Sequence, residues 1–155
     1  MDIIKRLINI IEFARKNFSD VYAEAFSVLK NRSVKKYIFH EKGFLIYTVV
    51  GNEGEYLLNI DVNRLSKSIC TCKDYTYNIL FRSKKHREGF SRIFCHHILA
   101  IIISKLAEYA FMTKHEGLDF FKKKELLPEI IIEEEEYFPL ILDLAYPSAQ
   151  SKGAP

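Results

Sequence analysis

Every cysteine of this chain falls in one stretch: Cys70-Thr71-Cys72, then 22 residues, then Cys95-His96-His97. That clustering constrains the fold more than any other feature. Three cysteines cannot all close into disulfides within one chain. Sulfur gathered beside imidazole is the donor set of a tetrahedral zinc site. Cys-x-Cys at the end of a strand brings both sulfurs onto one ion, about 2.3 Å from each, when the chain turns there. Cys95 and the histidine pair stand where the next helix begins. A thiolate at a helix N-terminus is favoured by the helix dipole and by free backbone N–H groups. Adjacent helical residues point about 100° apart, so one of His96 and His97 ligates and the other does not. The spacing reads as three sulfurs and one nitrogen, clipping a helix to a hairpin. Four protein ligands close the site, whereas catalytic zinc keeps a position for water. The Cys-x-x-Cys of zinc deaminases and of most redox pairs is missing. A structural zinc site without catalytic residues, and hence a non-enzyme, is the expectation.

Periodicity arranges the rest of the chain around this clip. Ile3, Leu7, Ile10, Ala14 and Phe18 form a helical stripe, widened by Ile4, Ile8 and Ile11. Ser19 or Asp20 is the expected cap of a second helix over Val21 to Lys30. The period then changes to two. Tyr37 to Phe39, Phe44 to Val50 and Glu55 to Ile60 read as strands, parted by Glu41-Lys42-Gly43 and Gly51-Asn52-Glu53-Gly54. Helical spacing returns from Cys95 to about Met112 at Ile98, Leu99, Ile102, Leu106 and Tyr109. Leu118 to Leu127 reads as another short helix ended by Pro128, and Ile130 to Glu136 and Phe138 to Leu144 are ambiguous between strand and tail. The expected fold is α+β: N-terminal helices, a three-stranded antiparallel sheet, a Cys3His zinc clip and a C-terminal helix.

The 155 residues suit one compact domain. The longest apolar run, Ile98 to Ile103, has six residues, against about twenty for a membrane span. The apolar N-terminal stretch is broken by Asn9, Glu12, Arg15 and Lys16, which no secretory signal core tolerates. An intracellular protein, cytoplasmic or nucleoid-associated, is expected.

The pattern Cys-x-Cys…Cys-x-His resembles the SWIM zinc-finger domain, a β-hairpin followed by a helix. The resemblance assigns Cys70, Cys72, Cys95 and His97 as the ligands, with His96 left out. Tyr47-Thr48-Val49-Val50-Gly51, Tyr56, Cys70-Thr71-Cys72-Lys73-Asp74-Tyr75 and Cys95-His96-His97-Ile98-Leu99-Ala100 narrow it. Over roughly residues 44–104 they are similar to the small SWIM subunit of Shu-type recombination complexes. That resemblance implies a zinc-binding adaptor that pairs with a RecA/RadA-family ATPase paralogue and supports homologous recombination or DNA repair. The chain is expected to divide into an N-terminal helical part (1–34), a SWIM module (35–112), a helical and acidic extension (113–147) and, from its small polar composition, a disordered tail (148–155). No Gly-x-x-x-x-Gly-Lys-Ser/Thr occurs, so any ATPase belongs to the partner. The Phe-x-x-Ala segment through which RecA-family oligomers often join is also absent.

Charge is distributed unevenly. Residues 1–124 carry 22 Lys and Arg against 13 Asp and Glu, whereas residues 125–155 carry one Lys against seven acids. A basic body suits a polyanion or an acidic partner. Between the ligand pairs, Lys73, Arg82, Lys84, Lys85, Arg87 and Arg92 face only Asp74 and Glu88, with Tyr75, Tyr77, Phe81 and Phe90 interleaved. Cations track a phosphate backbone and rings stack on unpaired bases, so this insert is a candidate contact for single-stranded DNA. A stand-alone nucleic-acid-binding regulator is the alternative function; a solvated loop with inward-packed rings is the structural one. Glu133 to Glu136, between two apolar blocks, reads either as a partner-binding segment or as a last element of the domain. The apolar arcs of the N-terminal helix and of the helix from Cys95 exceed what one sheet face covers, which predicts a hetero-oligomer or a homodimer.

Overall fold

A computed structural model describes residues 3–31, 33–39, 44–51, 54–80, 92–113, 126–128 and 130–132 of the chain. Helices α1 (Ile3–Asn17) and α2 (Ser19–Lys30) are separated by Phe18 alone. Along α1, Leu7, Ile11 and Ala14 recur at helical spacing and are all buried. Phe18, at φ −140°, is the N-cap of α2 and makes no side-chain capping bond. The expected cap at Ser19 or Asp20 is therefore corrected. Both lie inside the first turn, where the Asp20 carboxylate suits the positive end of the helix dipole. The Phe18 ring packs edge-on against Phe13 and Phe94, at centroid separations of 5.9 and 6.0 Å. Phe94 immediately precedes Cys95, so the helix junction sits on the ligand-bearing turn.

Strands β1 (Val34–Phe39), β2 (Phe44–Gly51) and β3 (Gly54–Asn59) form the antiparallel meander that the alternation predicts. Gly51 pairs with Gly54 across the second turn. Gly54 has φ +137°, which side chains rarely adopt, and a Cβ on Gly51 would collide with the Tyr56 ring. The expected turn at 41–43 lies outside the described residues.

Among the described residues, the three-stranded expectation is corrected to five strands in the order β4-β3-β2-β1-β5. Strand β4 (Ile69–Cys70) pairs antiparallel with β3, and β5 (Ile130–Ile132) pairs parallel with β1. Two residues are too few to show alternation and three consecutive isoleucines show none, so periodicity left Ile130 to Glu136 open between strand and tail; Ile130–Ile132 is a strand, and Cys70 does end one.

Helix α3 (His96–Thr113) lies between the sheet and the α1–α2 pair. Toward the sheet, its Glu108 meets Lys36 at 2.7 Å and its Lys105 stands over the Tyr47 ring. Toward the other layer it packs on α1 and α2. Each residue from Ile98 to Ile103 is 0% exposed. The expectation that α3 carries apolar surface in excess of its own core is thus corrected: its chain covers it on both sides. Ile3, Ile4, Ile8 and Ile10 of α1 are likewise packed, half-buried, against the core. Of the expected helix from Leu118, only Leu126 and Leu127 are described, Leu126 being buried. The segments at 133–136 and 138–144 and the tail at 148–155 lie outside the described residues. No described helix is long and apolar enough to cross a membrane.

Candidate metal centre

The cysteine ligands come from three local structures. Cys70 ends β4, opposite Leu58 of β3. Thr71 turns the chain between the two cysteines and is bound to β3 twice. Its N–H donates to the Leu57 carbonyl at 3.1 Å, and its hydroxyl accepts from the Leu57 N–H at 2.9 Å. Cys72 opens a helical turn that continues as the π-helical segment Tyr75–Leu80. There the Tyr75 N–H donates to Cys72 Sγ at 3.3 Å, and the Tyr75 hydroxyl reaches the Ser68 carbonyl at 2.9 Å. Cys95 stands just before α3, and its carbonyl accepts the first helical bond, from Leu99 N–H at 3.0 Å. Its sulfur therefore lies at the positive end of the helix dipole.

These elements bring Cys70, Cys72, Cys95 and His97 together, with their ligand atoms all within 4.8 Å of one another. His97 Nδ1 is 3.8 Å from Cys70 Sγ and 4.0 Å from Cys95 Sγ. Ordinary zinc bond lengths give tetrahedral edges of about 3.6 Å between nitrogen and sulfur and about 3.8 Å between sulfurs. A small inward movement of each ligand would close the cluster on one ion. All four residues are buried, His97 being the most exposed at 6%.

The protein's own groups give the three sulfurs very different proton affinities. Hydrogen bonding to Cys72 pushes the Cys70 thiol up to about 12. Burial pushes Cys95 up, reinforced by the neighbouring sulfurs. Cys72 is held well below its ordinary value because Cys70 and Cys95 both donate to it, with His97 and the Tyr75 N–H adding to them. A divalent cation deprotonates coordinating thiols outright, and would relieve the competition.

His97, not His96, belongs to the cluster. The His96 ring lies tilted against His97, with centroids 4.0 Å apart, and its Nδ1 lies 3.3 Å from Glu24 of α2. Tyr56 covers the His97 ring too, at 5.1 Å. Burial holds the His96 imidazole below its usual range, although Glu24 opposes this.

Of the cations singled out as nucleic-acid contacts, Lys73 is exposed beside Cys72. Arg92 forms a bidentate pair with Asp74, both bonds at 3.0 Å. Asn78 Nδ2 also donates to Asp74, at 2.8 Å. This clamp joins the two ends of the insert next to the ligands. Its signal in the sequence was an acid two residues after Cys72 and a base three residues before Cys95. Arg82, Lys84, Lys85 and Arg87 lie outside the described residues. Comparisons with protein-family models, curated proteins and solved structures return no match for this chain.

Proposed function

We propose that this chain is a non-catalytic, SWIM-type zinc adaptor. In this reading Zn2+ is held by Cys70, Cys72, Cys95 and His97 and fixes α3 against β4 and the turn after it. The observation that carries it is the buried, four-membered Cys3His set. The adaptor pairs with a RecA/RadA-family ATPase paralogue and supports homologous recombination or DNA repair; this part rests on the motif resemblance. The basic insert supplies contacts to single-stranded DNA.

Metal analysis of the purified protein should give one zinc per chain. Cys72→Ser should lose the ion and lower the melting temperature, because the binding energy of a structural site is folding energy. His97→Ala should lose zinc and His96→Ala should keep it. A metal-free protein that melts unchanged overturns the zinc reading. Light scattering of the protein alone, then beside each RecA/RadA paralogue of its host, tests the pairing. A chain that stays monomeric beside all of them leaves the stand-alone regulator ahead.

A further inference from the structure

His97 is the ligand with the most freedom to leave the cluster. Two side-chain torsions place its ring, whereas one places each cysteine sulfur. A cleft of about 440 Å³ borders the cluster between α2 and the end of β2, and of the four ligands Cys72 and His97 line it. Two rings lie against the imidazole. The His96 centroid is 4.0 Å away and the Tyr56 centroid 5.1 Å away, tilted by 40° and 43°. His96 is the neighbouring residue on α3 and moves with His97. Tyr56 comes from a different element. It stands on β3 two residues before Leu58, which pairs with Cys70 of β4. Alternate residues of a strand share a face, so the Tyr56 ring ties the helix-borne nitrogen ligand to the strand pair that carries a sulfur.

The ring has its place because residue 51 is glycine. Tyr56 pairs with Val49 in the register of β2 and β3, which makes Gly51 its diagonal neighbour on the same face. A Cβ at Gly51 would collide with Tyr56 Cε2. Gly54 has a positive φ and Gly51 does not, so the backbone at Gly51 suits any residue. The Tyr56 ring, rather than the turn, is what excludes a side chain there. We propose that Tyr56, seated by Gly51, is a positioning residue of the metal centre, whose ring blocks rotation of His97 into the cleft and so slows loss of the metal. The inference rests on the metal reading of the cluster and adds to it two residues that no ligand spacing contains.

The test follows zinc transfer from the full, zinc-loaded chain to an excess of the chelator pyridylazoresorcinol. The same proteins loaded with cobalt are read by their ligand-field absorption. Tyr56→Phe keeps the ring and should release zinc at the parent's rate. Tyr56→Leu removes the ring and Gly51→Ala displaces it. Each should release zinc about tenfold faster, the lower end of the effect of losing a group that orients a ligating histidine. Both should also alter the cobalt bands, because the nitrogen ligand is no longer held at one angle. Ile102→Ala, within the enclosed part of α3, is the control: it should lose stability and keep the parent's cobalt spectrum. If Tyr56→Leu does not fold, Gly51→Ala against Tyr56→Phe carries the same comparison. Parent-like release and spectrum in the ring-removing or ring-displacing variant overturn the inference alone. So does fast release by Tyr56→Phe, which would assign the effect to the hydroxyl. A cobalt spectrum altered equally in Ile102→Ala also overturns it, since the change would then follow from lost stability. A chain that takes up neither zinc nor cobalt overturns the metal reading and the inference together.

Discussion

Asp74 and Arg92 bracket the metal cluster, and their bidentate bond ties the two arms of the insert together beside the ligands. Burial raises the Asp74 carboxyl, but hydrogen bonds from Arg92 and Asn78 outweigh it and hold the group below its ordinary value of 3.8. A carboxylate whose folded pKa is depressed contributes stability that is complete above its unfolded pKa. That stability is lost as pH falls through the folded one. Asp74→Asn should therefore cost about 1–3 kcal/mol at neutral pH, the range for a charged hydrogen-bonding group left without its partner. The difference from the parent should shrink as pH drops below the ordinary carboxylate range. Paired urea denaturations at several pH values measure it, and a gap that is constant with pH would contradict the assignment. The four ligands were legible in the sequence because sulfur and imidazole are scarce and their spacing is demanding. The choice of His97 over His96 needed the motif resemblance, since helical geometry says only that one of the two ligates. Thr71 gave no signal at all: its hold on Leu57 depends on β3 lying alongside, which no local pattern encodes.

Helix α3 takes its character from being the middle layer. An amphipathic stripe serves a helix with one wet face, whereas Ile98 to Ile103 form an unbroken apolar run because both faces are covered. The sequence therefore showed the helix clearly and misled about its surroundings: the run implied surplus surface, and the fold uses that surface internally. The sheet had the opposite problem. Its central hairpins announced themselves through alternation and glycine turns, while β4 is too short to show a pattern and β5 is settled by pairing with a strand distant in sequence. Truncating the middle layer should be costly. Ile102→Ala should destabilise by about 2–5 kcal/mol, since neighbours on both sides restrict collapse into the cavity. Met112→Ser, at a position 80% exposed near the end of the same helix, should change stability by no more than about 0.5 kcal/mol. Denaturation midpoints of the metal-loaded proteins compare the two. Similar losses at both positions would mean that α3 is not enclosed as described.

Across the whole molecule, the excess of cations in residues 1–124 is the feature that bears on polyanions. The fold changes which of these cations are available. Arg92 and Asp74 neutralise each other, and Lys36 is paired with Glu108. Taking the Arg92–Asp74 pair out of the insert removes one cation and one acid, so its formal balance by sequence is still +4. If those four net charges meet phosphates of a single strand, the logarithm of the binding constant should fall with the logarithm of salt concentration with a slope of about −2.8. Replacing Lys84, Lys85 and Arg87 by Ala leaves a balance of +1 and should reduce the slope to about −0.7, weakening binding to every sequence alike. Arg92→Ala is the informative contrast. Its loss leaves Asp74 unpaired, so the local balance falls to +3 and the slope of the folded, metal-loaded protein should ease only to about −2.1 while stability drops. Fluorescence anisotropy with labelled oligonucleotides at several salt concentrations gives all three slopes. A parent slope near zero would mean the insert is only a solvated loop. A flattened slope in Arg92→Ala equal to that of the triple variant would mean that the clamp, rather than the charge beyond it, organises the contact.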